Sequence, residues 1–361
     1  MYTFIKKIIK EYLKYPFHSL LYNFERNINF TLNTITIENT PQKMIKSSSN
    51  FSIFNNEFST KIVKEIEVVS ASSYSMKLLL LSDKRLLCFD ERTICILDLQ
   101  KNEIFQEKLF QRNTNLICVT ELANKTIAGL LSDNTIVLWS FFTDKVEVKH
   151  IYSNIHNKNG ITITSLSNNR IASCSFDNTI KIWNGEAPYT LIKQINLSKP
   201  QCCNSIIQIT NTNYMITGMF TQQIYVWDLR TYQIVSIIQD VGGYFHWSDN
   251  KFYQYKEFSF IDDKRVIVQN QNEENLYSFI LDTTTWKTID TFTNQNLISS
   301  TAKYNNSLFL CNSGLLVLYN LEKKKEIRQA MFYMVTGKDL VKINDYTFAV
   351  AGNSKIILFN L

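Results

Sequence analysis

A chain of 361 residues that is 45% hydrophobic and 13% aromatic is long and apolar enough to build a sizeable core, which excludes disorder over most of its length. Lys and Arg outnumber Asp and Glu by 38 to 32, and half of the net charge of +6 arises before residue 61, where seven residues are basic and four acidic. The remainder is nearly neutral, which argues against nucleic acid as a principal ligand.

Residues 1–27 predict an amphipathic helical extension, in which Pro16 ends a first helix and a second apolar face follows. The simplest interpretation is a helix packed on the side of a folded domain. Two others stay open: a basic helix lying on an anionic membrane surface, and a helical prong that docks into a partner. The first helix has an apolar face of Phe4, Ile5, Ile8, Ile9, Tyr12 and Leu13 and a basic face of Lys6, Lys7, Lys10 and Lys14.

Residues 28–58 predict a strand followed by a linker rich in Ser and Asn, and regular strands begin after them. Three hairpins of one pattern then recur at a constant interval. The clearest of them, Ser173–Asn184, alternates apolar and polar residues after a tight Asp-Asn turn. Each of the three ends on a tryptophan, and the tryptophans are 44 residues apart: Trp139, Trp183 and Trp227. A fixed period of this length indicates a repeat architecture.

Four weaker copies place another large apolar residue in the tryptophan position: Leu97, Leu281, Tyr319 and Phe359. A hairpin that ends on Trp-Asn or Trp-Asp resembles the WD-repeat family of β-propellers, and the resemblance implies a ring of seven four-stranded blades. The last hairpin leaves its blade one strand short, and Lys61–Val69 is predicted to supply that strand and close the ring. We therefore expect an all-β, seven-bladed propeller over residues 59–361, closed by an N-terminal strand and preceded by the helical extension.

The resemblance also implies a hydrogen-bond chain of His, Ser or Thr, Trp and Asp within a blade. The third blade has all four residue types, whereas the second and fourth blades have only part of the set. Such a chain stabilises the blade and is not a catalytic triad. The residues concerned are His156, Ser173 or Ser175, Asp177 and Trp183 in the third blade, Asp133 and Trp139 in the second, and Trp227 in the fourth.

One interval is longer than the period. The regular spacing after Trp227 would place the next large apolar residue at position 271, which is a glutamine (Gln271). The residue that matches the pattern is Leu281 instead. The surplus falls at 241–255, which is predicted to join an outer strand to the next inner strand on the face where the resemblance implies ligand binding. Its Tyr and Trp content is typical of an interface hot spot. The alternative, in which the aromatic residues fold back as a plug or as extra strands, stays open. The aromatic residues, with one histidine, are Tyr244, Phe245, His246, Trp247, Phe252, Tyr253 and Tyr255.

A second feature indicates a partner. Trp227-Asp228-Leu229-Arg230 resembles the Trp-Asp-x-Arg signature of WD-repeat substrate receptors that dock on the adaptor of cullin-4 ubiquitin ligases. The resemblance implies that Arg230 projects from the face opposite the ligand-binding loops, and that residues 1–24 assist docking. Thr221 and Met219 depart from the pattern of that signature. An ordinary solvated arginine at a strand end is the simpler interpretation.

Nothing in the sequence predicts an enzyme, a cofactor or a metal site. Four histidines occur without the spacing of a helical zinc site, and neither a phosphate-binding Gly-rich loop nor a Gly-x-Ser-x-Gly elbow is present. The seven cysteines fall mostly in predicted strands, which indicates buried thiols in a reducing compartment. With neither a secretory signal nor an apolar run of about 18 residues, the predicted location is the cytoplasm, with the nucleus as the alternative.

The sequence as a whole predicts a non-enzymatic scaffold, a monomeric ring within a larger complex, that binds a protein or a peptide. One alternative is a substrate receptor of a cullin-RING ubiquitin ligase that docks through Arg230 and the N-terminal helices. The other is a propeller recruited to a membrane surface by residues 1–27.

Overall fold

The computed structural model describes residues 46–47 and 61–360, apart from short stretches at 69–75, 102, 109–113, 143–145, 198–201, 220–222, 239–256, 272–275, 295–299, 313–314, 332–338 and 353–354. They belong to a compact unit spanning Ile45–Leu361. The predicted helical extension, nearly all of segment 28–58 and the aromatic stretch 241–255 lie outside the described residues, so these assignments stay predictions. The part of the chain that is described has no helix that could cross a membrane.

The described residues form 29 strands, of which the first two precede the first complete blade. The N-terminal strands are β1 (Lys46–Ser47) and β2 (Lys61–Glu67). The first blade contains β3 (Lys77–Leu80), β4 (Leu86–Phe89), β5 (Thr93–Asp98) and β6 (Glu103–Lys108). The second contains β7 (Leu116–Glu121), β8 (Ile127–Leu131), β9 (Ile136–Phe141) and β10 (Val146–Tyr152). The third contains β11 (Gly160–Leu166), β12 (Arg170–Ser175), β13 (Thr179–Asn184) and β14 (Leu191–Asn196).

The fourth blade contains β15 (Cys203–Gln208), β16 (Tyr214–Met219), β17 (Ile224–Asp228) and β18 (Gln233–Ile238). The fifth contains β19 (Glu257–Asp262), β20 (Arg265–Gln271), β21 (Leu276–Asp282) and β22 (Thr288–Asn294). The sixth contains β23 (Ser300–Tyr304), β24 (Ser307–Asn312), β25 (Leu315–Asn320) and β26 (Lys325–Met331). The seventh contains β27 (Asp339–Lys342), β28 (Thr347–Gly352) and β29 (Lys355–Asn360), together with β2.

All seven blades are antiparallel sheets, and in the first six the strands follow chain order, which confirms the predicted seven-bladed propeller. From the second blade round to the first, the first strands of successive blades contact one another, so they line the inside of the ring and the fourth strands lie outside. The predicted closure is also confirmed, because β2 pairs antiparallel with β29 as the outer strand of the seventh blade. Outside it lies β1, a fifth strand that the sequence does not predict.

Asparagine makes many of the tight turns in this glycine-poor chain. In the turns between the second and third strands of the second and third blades, Asn134 and Asn178 have φ values of 63° and 62°. Asn tolerates this left-handed region better than most other side chains do. These turns therefore form without glycine, which occurs only nine times in the sequence.

The hydrophobic core is divided into seven clusters of described residues, one at each junction between neighbouring blades. The period-2 alternation of each strand explains this arrangement, because its two faces pack against two different blades. In β13, for example, Ile180 and Ile182 face the fourth blade, whereas Trp183 faces the second. The ring closes at the junction of the seventh and first blades, where the Leu78 N–H donates to Asp339 Oδ2 at 2.8 Å.

A recurring contact ties a blade to the blade before it. Near the end of the turn between the third and fourth strands, one residue adopts a positive φ and contacts the preceding blade. In the third blade, Tyr189 (φ 54°) stacks on His150 with ring centroids 4.3 Å apart, and in the fourth, the ring of Tyr232 (φ 58°) lies 6.0 Å from Lys193 Nζ. In the fifth blade, the ring centroids of Trp286 (φ 56°) and Tyr214 are 5.7 Å apart, and in the sixth, Lys324 (φ 50°) places its Nζ 3.4 Å from Asp290 Oδ1. We call these residues the backward contacts.

Strand alternation gives the ring two faces. We call upper the face that carries the turns between second and third strands and the connections from each outer strand to the next inner strand. The lower face carries the turns between first and second strands and between third and fourth strands. The connection 153–159 is on the upper face, and the turn 229–232 is on the lower face.

Candidate functional site

His156 is the centre of a buried polar network in the third blade. It lies in the upper-face connection 153–159 and is 4% exposed. Its Nε2 is 2.9 Å from Ser173 Oγ, and the Trp183 indole N–H donates to the same oxygen at 2.9 Å. On the opposite side of the imidazole, His156 Nδ1 is 3.0 Å from Asp177 Oδ2. The structure thus brings together the four residue types that the resemblance implies, with Ser173 in the hydroxyl position.

The directions of these hydrogen bonds follow from their donors. The Asp177 carboxylate can only accept, so His156 Nδ1 carries the proton and donates to it. In the neutral imidazole Nε2 is then an acceptor, and the Ser173 hydroxyl, whose oxygen accepts from Trp183, donates to it. Burial lowers the pKa of His156, and the opposing effect of the Asp177 carboxylate is smaller. Burial raises the pKa of Asp177, but hydrogen bonds from Thr179 and Asn157 outweigh it, so that this pKa lies below its ordinary value.

The connectivity Ser173–His156–Asp177 is that of a hydrolase triad, but the environment of the serine is different. Ser173 is 1% exposed, and its oxygen already accepts the hydrogen bond of Trp183. A nucleophilic serine must reach a substrate carbonyl, with an oxyanion site beside it. The network therefore fixes the upper-face connection 153–159 on β12 and β13 and has no access to a substrate.

In each of the other two blades with a tryptophan, the residue at the position of Ser173 explains how the tryptophan is accommodated. The fourth blade has Thr217 in place of Ser173, and its Oγ1 accepts the Trp227 N–H at 2.9 Å. The second blade has Gly129 there, and the ring of Trp139 fills the space of the missing side chain. Blades that lack the tryptophan have Cys88, Val268, Leu310 and Val350 at this position.

Thr217 and Gly129 were missed by the sequence reasoning, although the constant period from Ser173 leads to both. Thr179 was missed as well; its hydroxyl donates to Asp177 Oδ1 at 2.6 Å. Asp133, the partial match in the second blade, lies exposed in its turn. Its neighbour Asn134 contacts the next blade instead, by accepting the Gly160 N–H at 2.7 Å.

Arg230 lies on the lower face, in the turn that follows β17. Its guanidinium folds back on Asp228, with Nη2 2.7 Å from Oδ2 and Nε 3.1 Å from Oδ1. These hydrogen bonds lower the pKa of Asp228 to about 2. The arginine side chain is nevertheless 67% exposed, so it is held in a fixed position at the surface.

The residues of the predicted aromatic contact, Tyr244, Phe245, His246, Trp247, Phe252, Tyr253 and Tyr255, all lie outside the described residues. The structure describes the two strands that this stretch joins. β18 ends at Ile238 and β19 begins at Glu257, and both of these strand ends are on the upper face. Residues 239–256 join them along the chain. No group of three or more His, Cys, Asp or Glu in the described part of the chain could hold a metal ion.

Comparison with known proteins adds three findings. The family profile described as "WD domain, G-beta repeat" matches residues 149–184, the stretch that contains the His156 network. No curated protein matches the sequence significantly. Among solved structures, the β-propeller domain of Cps50 (Swd1) from Myceliophteria thermophila aligns with a TM-score of 0.65 at 11% identity, covering 84% of this chain and 99% of that one. A chain of a mitotic checkpoint complex aligns with a TM-score of 0.66 at 7% identity, covering 93% and 98%.

Proposed function

From the membership of this chain in the WD-repeat family of β-propellers we infer that it is a non-enzymatic scaffold that binds a protein or a peptide. Propellers of this family typically serve as protein-interaction scaffolds. The buried state of Ser173 supports a structural role for the one triad-like set of residues in the third blade. We propose the cytoplasm as the location, with the nucleus as the alternative.

The observation that carries the proposal is the connection between β18 and β19. It spans residues 239–256 and is more than twice as long as the corresponding connection 153–159 before the third blade. Long connections on a rigid scaffold commonly carry function, and clustered Tyr and Trp side chains supply much of the binding energy at protein interfaces. We therefore propose that residues 244–255 provide the principal partner contact.

The test replaces six aromatic residues of this connection with serine: Tyr244, Phe245, Trp247, Phe252, Tyr253 and Tyr255. Partners recovered with the wild-type chain are identified by mass spectrometry and purified, and their Kd is measured by calorimetry. We expect an affinity loss of at least tenfold with cooperative unfolding preserved. Tyr346→Ser is the matched control, because this tyrosine is 65% exposed on the lower face. Equal affinity of the six-residue variant and the wild type would contradict the proposal.

A second candidate function, substrate receptor of a cullin-RING ubiquitin ligase, is favoured by one observation. The Arg230 side chain is largely exposed on the lower face, opposite to the ends of β18 and β19 that residues 239–256 join. We expect Arg230→Ala to lose a ligase adaptor that the wild type binds. Arg265→Ala is the control, because this lower-face arginine also pairs with an aspartate. A wild-type chain that shows no binding to the purified adaptor would exclude this function.

The third candidate, recruitment to a membrane surface, depends on residues 1–27 and their lysines. It predicts that the full chain binds anionic vesicles at low salt and that removal of residues 1–27 abolishes this binding. Equal binding of the chain with and without these residues would contradict it.

A further inference from the structure

The outer strand of the fourth blade differs from the other outer strands in its chemistry. β18 has the sequence Gln-Ile-Val-Ser-Ile-Ile and lies at the end of its four-stranded sheet. Every other outer strand that the structure describes contains at least one Lys, Arg, Asp or Glu. Charged residues on an edge strand discourage the addition of a further strand. β18 therefore lacks a protection that the neighbouring outer strands have.

The apolar side chains of this edge are accessible to solvent. Ile234, Val235 and Ile237 are 41%, 51% and 43% exposed. By contrast, all five residues of the adjacent strand β17 are buried. Ile234 and Ile237 stand opposite Trp227 and Tyr225 in the register, so they extend the apolar junction with the third blade out to the surface.

The seventh blade shows that an outer edge of this ring accepts one more strand. β1 pairs antiparallel with the outer strand β2, with Lys46 opposite Glu65 and Ser47 opposite Lys64. β2 itself contains four charged residues. The edge of β18 has no charge to offer, so a strand that adds to it must satisfy the backbone and match apolar side chains instead.

We propose that the outer edge of β18 binds an extended, uncharged and apolar peptide segment of a partner protein, which pairs with it antiparallel as a fifth strand. The strand that adds to β2 is a short extended segment and not the edge of a second sheet, which favours an extended segment over a second copy of the chain at β18. The inference rests on the described strand β18 and not on residues 244–255, so it goes beyond the proposed function and does not depend on it.

The experiment selects binders to the intact chain from a displayed library of random ten-residue peptides. The selected peptides are synthesised, and their Kd values are measured by fluorescence anisotropy. We expect uncharged sequences with alternating β-branched residues. Ile237→Lys should weaken their binding at least tenfold. Ile151→Lys is the matched control, because Ile151 occupies the equivalent place on β10, is 50% exposed and lies on a strand that already contains Lys149.

Two further measurements identify the mode of binding. Two series of each peptide are made, one N-methylated at the odd-numbered residues and the other at the even-numbered residues. Only the N–H groups that face β18 can pair with it, so only the series in which those groups are methylated should lose binding. The mass of the wild type and of Ile237→Lys in solution is measured by light scattering.

The proposal is overturned if no uncharged peptide is selected, if Ile237→Lys binds the selected peptides as the wild type does, or if both methylated series bind alike. A wild-type dimer that Ile237→Lys dissociates would assign the edge to a second copy instead. Loss of binding in the serine variant of residues 244–255, with Ile237→Lys unaffected, would support the proposed function and overturn this inference.

Discussion

Ser173→Ala is the sharpest test of the polar network, because one oxygen atom serves two buried partners. Its removal leaves the Trp183 N–H without an acceptor and His156 Nε2 without a donor. A stranded buried polar group costs roughly 1–3 kcal/mol. We therefore expect the free energy of unfolding to fall by about 3 kcal/mol, since both groups are more than nine-tenths buried and water cannot replace the hydroxyl without entering the blade.

The assay is urea unfolding followed by tryptophan fluorescence and by circular dichroism, with equal m values required before free energies are compared. Thr217→Val in the fourth blade is the matched control. It preserves the shape of the side chain and strands only the Trp227 N–H, so the expected loss is about half as large. The pair of variants separates the contribution of the histidine from that of the tryptophan.

Two results would refute the reasoning. One is a Ser173→Ala variant whose stability lies within about 0.5 kcal/mol of the wild type, the range of an ordinary surface substitution. The other is a loss in Thr217→Val as large as that in Ser173→Ala, which would mean that the histidine adds nothing to the network.

Three further outcomes are expected. Gly129→Ala should destabilise the second blade by about 1–3 kcal/mol in the same urea assay, because the new Cβ would lie 2.6 Å from Cη2 of Trp139; an unchanged midpoint would contradict this. Burial raises the pKa of Asp262, but hydrogen bonds from Arg265 and Lys303 outweigh this and lower it to about 2 from an ordinary 3.8, so this carboxylate stabilises the fold above pH 3.8 and loses its effect as the pH falls through 2. Asp262→Asn should accordingly cost about 1 kcal/mol at pH 7 after solvent screening, and the difference from wild type should shrink between pH 4 and 2 in acid titrations of stability. Removal of residues 1–67 should abolish cooperative thermal unfolding because β29 loses its neighbour, whereas removal of residues 1–60 should preserve it.

The sequence predicts the ring well because the repeat can be recognised from large residues at a constant interval. Trp139, Trp183 and Trp227 lie at the same place in three successive blades, and a constant interval between bulky side chains survives even where the polar residues have changed. The closing strand is equally predictable, since an incomplete last blade requires one. The observed strand ends at Glu67, slightly before the predicted end at Val69.

Other features depend on contacts that a single repeat does not reveal. The backward contacts require a positive φ at Tyr189, Tyr232 and Trp286. An aromatic residue in a turn does not predict a positive φ, because this region is uncommon for bulky side chains. Tertiary packing against the preceding blade stabilises it. The pairing of Lys46–Ser47 with β2 is likewise determined by a sheet edge elsewhere in the fold, not by the propensity of two residues.

The backward contacts also have a direction in time. A ribosome makes the chain from its N-terminus, and each of these residues reaches a blade that has already been synthesised. A new blade can therefore dock on a finished one without waiting for later sequence. β2 is the exception, because its partner β29 is made only after all the blades that lie between them in the sequence. Until then β2 is an open edge, and charged residues on such an edge discourage pairing with another chain; β2 contains Lys61, Lys64, Glu65 and Glu67.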